Sequence, residues 1–161
     1  MGKALRARIR QTSFPSQPEE LILGLMVVAE HVRDRFQDLF REHGLTPGQY
    51  NVLRILRGAG SDGHARCSIA RRMIDRSPDV TRILDRLVKA GYVKRGAGSL
   101  DRRTSIARIT PAGLALLRGL DGPVSELHAT LAAPLPAGDR TKLAVLLEKM
   151  HEAIPVIEED S

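Results

Sequence analysis

Basic side chains are concentrated in one quarter of this sequence. Residues 66–108 carry twelve arginines and lysines against four carboxylates, whereas 1–65 carry nine against seven and 109–161 carry four against eight. A focused positive segment between near-neutral and acidic ones is the footprint of a surface that binds a polyanion. Within it, Asp79, Thr81, Arg82, Asp85, Arg86 and Lys89 fall on one face of a helix, and Val80, Ile83, Leu84 and Leu87 form the opposite, apolar stripe. An arginine near the start of such a helix can donate two hydrogen bonds to a guanine edge, which suits Arg82. Arg86 and Lys89 suit phosphate contacts or pairing with Asp85 within the helix. Downstream, Asp101, Arg102 and Arg103 place a second, mostly cationic cluster in a glycine-containing loop. A solvated, arginine-rich face is the competing explanation.

The elements around these residues decide between the two. Ser77 as cap, Pro78 at the first helical position and Asp79 in the first turn predict where the basic helix begins, and Gly91 ends it. Capping alone would account for Ser77 and Pro78 but not for an outward Thr81 and Arg82. Upstream, apolar residues from Leu21 to Phe40 recur at helical spacing and predict a long amphipathic helix over 21–43 stopped by Gly44. Thr46, Pro47 and Gln49 read as a capping box opening a second helix with Tyr50, Leu53, Ile55 and Leu56 on its core face. Gly58, Gly60 and Gly63 end that helix, and a short third one is expected over 67–74. After the basic helix, 92–95 and 104–109 are β-prone and joined by the loop 96–103. Helix, helix, strand, basic loop, strand describes a winged helix-turn-helix. A further helix from Thr110 and Pro111 carries Leu114, Leu117, Leu120, Val124, Leu127 and Leu131 past Gly122 and Pro123, where a bend is expected. A last helix after Pro136 aligns Leu143, Leu146, Leu147, Met150 and Ile154 on one face.

Other chemistries find little support. The five histidines show no paired metal spacing, so no metal is expected. Neither glycine-rich turn precedes a phosphate-cradling lysine, and no nucleophile and base are paired, so neither an enzyme nor a bound cofactor is expected. The single cysteine, Cys67, cannot form an intrachain disulfide, and its place among small residues at a helix start predicts a buried, inert thiol. The N-terminus does not read as a secretory signal, and the longest apolar run, 21–29, is too short for a bilayer. A cytoplasmic protein with no membrane contact is expected.

Three segments together resemble the MarR family of bacterial transcriptional regulators: LTPGQYNVLRIL from Leu45, SPDVTRILDRLVKAGYVKR from Ser77, and DRRTSIARITPAGLALL from Asp101. The resemblance covers about residues 21–153 and departs from the family at Ile74 and Asp75, where many members carry a glycine and an apolar residue. It implies a two-fold dimer built by the terminal helices, a recognition helix in the major groove and a wing tip in the minor groove. It further implies repression relieved by a small phenolic or aromatic ligand or by oxidation, although 3% aromatic residues leave few stacking partners for such a ligand. Redox-sensing relatives place their thiol near the first helix, unlike Cys67.

The expected fold is therefore mainly α, a winged helix-turn-helix core with a small β-wing and long N- and C-terminal dimerisation helices. The expected organisation is a flexible basic arm over 1–20, a dimerisation helix over 21–44, the DNA-binding domain over 45–110, C-terminal dimerisation helices over 111–154 and an acidic tail over 155–161. The expected function is sequence-specific regulation as a homodimer on a pseudo-palindromic operator, with Ser77, Pro78, Asp79, Thr81, Arg82, Arg86, Asp101, Arg102 and Arg103 at the DNA. The rivals are a sequence-indifferent architectural protein that uses the basic centre for phosphates alone, and a protein-interaction module built on the long helices.

Overall fold

The computed structural model describes residues 2–75, 79–97 and 105–154. In chain order the elements are α1 (Lys3–Ile9), α2 (Gln17–Glu42), α3 (Pro47–Gly58), β1 (His64–Ala65), α4 (Arg66–Ala70), α5 (Val80–Lys89), β2 (Val93–Ala97), β3 (Ser105–Ile109), α6 (Pro111–Ala132) and α7 (Ala137–Ala153). The chain forms two compact units, one ending at Val124 and the other beginning at Ser125, with α6 running through the boundary. None of the described helices is long and apolar enough to cross a membrane.

The sequence signals account for most helix ends. Thr46 accepts from the Gln49 N–H at 3.2 Å while the Gln49 side chain accepts from the Thr46 N–H at 2.8 Å, closing the capping box that starts α3. Gly44 and Gly91 follow α2 and α5 with φ of +69° and +77°, a backbone that a side chain would strain. Two ends and one whole helix differ from expectation. α2 begins before residue 21, because Ser16 Oγ accepts from the Glu19 N–H at 3.3 Å and Glu19 and Glu20 occupy the dipole-favoured first turn. α1 lies within the segment expected to be a flexible arm, with Leu5 against Gly24 and Arg8 Nε donating to His31 Nε2 at 3.4 Å. α4 stops at Ala70 rather than near Ile74, which is 82% exposed in the connection that follows.

The hydrophobic core lies entirely in the first unit. Val52, Leu53 and Leu56 of α3, Ile69 of α4, Leu87 of α5, and Leu117 and Leu120 of α6 are fully buried, with Val80, Leu84, Val93 and Ala107 around them. Each such side chain contributes about 1.5–3 kcal/mol by leaving water, so Leu117→Ala would cost about 2–5 kcal/mol once its cavity is counted. Tyr50, expected in this core, is half-buried, while Asn51 and Val52 turn inward beside Leu53. Phe40 stacks on Phe36 at 5.8 Å and on Tyr50 at 4.2 Å between ring centroids, fastening α2 to α3. Arg57 of α3 donates from one nitrogen to both carboxylate oxygens of Asp121, at 2.8 and 3.0 Å, tying α3 to α6.

The sheet is antiparallel in the order β1-β3-β2, one strand more than expected. β1 pairs His64 with Ala107 and Ala65 with Ile106. Gly63 makes this approach possible, because a Cβ there would collide with the Ala107 carbonyl. β2 extends beyond Arg95, with Gly96 opposite Ile106 and Ala97 opposite Ser105, so the pairing continues into the segment expected as loop.

One further expectation changes. Cys67 is exposed rather than buried, because Ile69 is the residue of the short α4 that turns into the core. α6 continues as helix through Pro123. In the second unit α7 has no buried residue, and its aligned Leu143, Leu146 and Leu147, with Ile154 just past its end, are exposed.

Candidate nucleic-acid interface

α5 presents the arginine-bearing face that the sequence pattern predicts. Val80, Leu84 and Leu87 are buried and Ile83 is half-buried against the core, which turns Asp79, Thr81, Arg82, Asp85, Arg86 and Lys89 to solvent. The N-cap is Asp79, not Ser77, and the first helical residue is Val80, not Pro78. Both serine and aspartate can cap, and the aspartate two residues further on makes the bond that is seen: its Oδ1 accepts from the Arg82 N–H at 3.2 Å. Its Oδ2 meets Arg82 Nε at 3.1 Å. One carboxylate therefore caps the helix and holds the Arg82 side chain, 80% exposed, at the helix's N-terminal end. The pair is too exposed to stabilise the fold much, but it pre-orients a guanidinium, and pre-orientation lowers the entropy lost on binding.

Asp85 does not pair with Arg86 or Lys89. Its carboxylate takes Arg95 of β2 at 2.8 Å, leaving Arg86 and Lys89 exposed without an ion-pair partner among the described residues. Sequence reasoning missed this link for want of a register. Val93 faces Ile109 and Arg95 faces Ala107, so Arg95 shares the sheet face that packs towards α5. Period-two alternation from Val93 was the available signal, and it places an arginine where an apolar residue would otherwise sit.

Of the nine residues expected at DNA, the structure brings together Asp79, Thr81, Arg82 and Arg86 on α5. Ser77, Pro78, Asp101, Arg102 and Arg103 lie outside the described residues. Arg66, Arg95 and Ser105, not among the nine, join Thr81 at the α5-to-sheet crevice.

At His64 on β1, burial and then the nearby Arg72 guanidinium hold the pKa below the ordinary value. Among the described residues no cluster of three or more His, Cys, Asp and Glu could hold a metal ion.

Comparison with known proteins agrees with this architecture. The model of the MarR family matches residues 45–105, from two residues before α3 to the first residue of β3. A MarR transcription factor of Planctomyces limnophilus is 34% identical in its crystal structure, with 84% of this chain and 98% of that one covered and a TM-score of 0.65. The homoprotocatechuate degradative operon repressor of Escherichia coli is 28% identical over 81% of this chain and 87% of its own length. A Thauera aromatica protein assigned to regulation of the hcr operon is 28% identical over 67% of this chain, which spans 64% of that relative's length. These relatives are regulators rather than enzymes. A winged helix-turn-helix whose outward helix carries a carboxylate-held arginine, matched in sequence and in fold by such proteins, makes this chain a member of the MarR family of DNA-binding transcriptional regulators.

Proposed function

We propose that the protein is a homodimeric repressor that reads a pseudo-palindromic operator with α5 and is released by a small-molecule effector. The observation that carries the reading is the Asp79-held Arg82 at the exposed N-terminal end of α5, the part of a recognition helix that meets base edges. Thr81 lies beside it, and Arg86 and Lys89 follow at phosphate-contact positions. Ser77 and Pro78 would enter the groove just ahead of Asp79. Asp101, Arg102 and Arg103 would form the tip of the wing.

Dimerisation is supported by apolar surface that the single chain leaves uncovered. On α2, Leu21, Ile22, Met26 and Val28 are exposed, and α7 exposes its leucines, more than a soluble monomer ordinarily shows. A two-fold dimer would place two copies of α5 about one helical turn of DNA apart, roughly 34–36 Å. Repression is the role named for the Escherichia coli relative. For the effector, Phe36, Phe40 and Tyr50 are already stacked on one another, so recognition would rest on shape and polar contacts more than on new aromatic stacking.

Genomic footprinting of the bound protein tests this function. Protected palindromes overlapping promoters, with transcription rising when the gene is deleted, are expected. Protection spread without sequence preference would favour an architectural protein, and a protein complex that forms without DNA at physiological salt would favour an interaction module.

A further inference from the structure

Residues 21–29, LILGLMVVA, include no polar side chain, so this part of α2 has no polar face to turn to water and needs cover on every side. α1 supplies one side. Gly2 lies so close to Glu20 that a Cβ would collide with its carboxylate, Leu5 Cδ2 sits 3.6 Å from where a Gly24 Cβ would stand, and Arg8 Nε donates to His31 Nε2 at 3.4 Å. Glu20, Gly24, Val27 and His31 share one face of α2 by helical period, so α1 runs along that face in the same direction as α2. Glu20, Gly24 and Val27 are half-buried there, whereas Leu21, Ile22, Leu25, Met26 and Val28, further round the helix, stay exposed.

The docking is built into the chain. A helix of seven residues does not hold in water by itself, so α1 exists as a helix through its contacts with α2. Arg10, with φ of +56°, is the only non-glycine residue with a left-handed backbone among the described residues, and it turns the chain back at the end of α1. Such strain persists only where the surroundings fix it. Arg6 donates to the Thr12 carbonyl at 3.4 Å, and Phe14 returns to the side of Gly2. We infer that α1 is an intrachain cover that closes one side of 21–29 to any other helix, so that a second copy seats on the neighbouring stripe of Leu21, Ile22, Leu25, Met26 and Val28. The inference rests on the dimer reading above and adds what limits it. A helix apolar on all sides accepts partners on more than one side and builds open assemblies, whereas a single free stripe meeting itself across a two-fold axis closes as a dimer.

The test uses the full chain, read by trypsin cleavage after Arg6, Arg8 and Arg10 and by sedimentation over a range of concentration. No residue of α1 belongs to the hydrophobic core, so substitutions here leave the rest of the fold intact. In the wild type these bonds should be protected, and the protein should stay a dimer at high concentration. Leu5→Asp should free α1, speed cleavage at all of these sites and produce species larger than a dimer as concentration rises. His31→Lys, at an exposed position, removes the acceptor and sets a second cation beside Arg8, and should speed cleavage roughly tenfold, the weight of one hydrogen bond. His31→Gln keeps an acceptor and should retain protection. Cleavage at the wild-type rate in both Leu5→Asp and His31→Lys, or faster cleavage of Leu5→Asp with a dimer still the largest species, overturns the cover and leaves the dimer standing. A wild type that is monomeric at every concentration overturns the dimer reading, while protection of the same bonds in it would uphold α1 as a cover of α2.

Discussion

Asp85 and Arg95 meet at 2.8 Å across the gap between α5 and β2, so the helix with the outward arginines and the strand beside it share one ion pair. Asp85 is the only carboxylate in the middle of an otherwise cationic helix face, between Arg82 and Arg86. Its place is explained by what it holds, since a carboxylate facing DNA opposes binding.

Asp85→Ala should therefore separate stability from specificity. The pair is part-exposed, so its loss should cost less than about 1 kcal/mol, a shift in Tm of no more than about 4 °C. Affinity for random DNA should rise as a negative charge leaves the surface, and the ratio of operator to random affinity should fall as Arg95 loses its holder. Unchanged affinities on both duplexes would count against a role for this pair.

The dimer is tested by sedimentation at micromolar concentration, where the wild type should be a dimer. Val28 is 59% exposed and Leu146 56% exposed, and a charge at either should break a tight apolar contact. Val28→Asp and Leu146→Asp should shift the protein towards monomer and weaken operator binding more than random binding. A wild-type monomer at every concentration contradicts the proposed assembly.

Stability should fall as pH drops below 6.5, partly through His64. Burial and then Arg72 lower its folded-state pKa beneath the ordinary 6.5, so between those two values the unfolded chain binds more protons than the folded one. Stability therefore rises with pH across that window and is lost as pH falls through it. His64→Gln should flatten this part of a Tm-against-pH profile taken above the carboxylate range. An identical profile in the variant would show that His64 is not displaced.

Cys67, now seen to be exposed, should react with a thiol reagent in the native state. Cys67→Ser should nonetheless leave DNA release by peroxide or by small molecules unchanged. An oxidant response present in the wild type and absent in the variant would make this thiol the sensor.

The readable parts of the fold were those with two agreeing local signals. The capping box at Thr46 and Gln49 coincided with an apolar period, and the stripe Val80, Leu84, Leu87 coincided with Gly91 as a stop, so α3 and α5 were legible. β1 was not, because two residues carry no periodicity and exist as a strand only through pairing with β3. The start of α5 was ambiguous because Ser77 and Asp79 are both good caps, and local propensity does not choose between neighbours. The outward placement of Thr81, Arg82 and Arg86 followed from helical period, whereas Arg66 and Arg95 became neighbours of that site only through the sheet register. Exposure of Cys67 turned on which single residue of a five-residue helix faces the core, and that residue is Ile69.

Whether α5 reads bases is tested most directly by measuring the affinity of wild type and Arg82→Ala for the footprinted operator and for random DNA at one salt concentration. The wild type should prefer the operator by about a thousandfold or more. Arg82→Ala should lose about 1–3 kcal/mol on the operator, flatten preference at one base pair per half-site and leave random binding nearly unchanged. Equal loss on both duplexes would mean that Arg82 serves only the phosphates, and the account of α5 as the recognition helix would be contradicted.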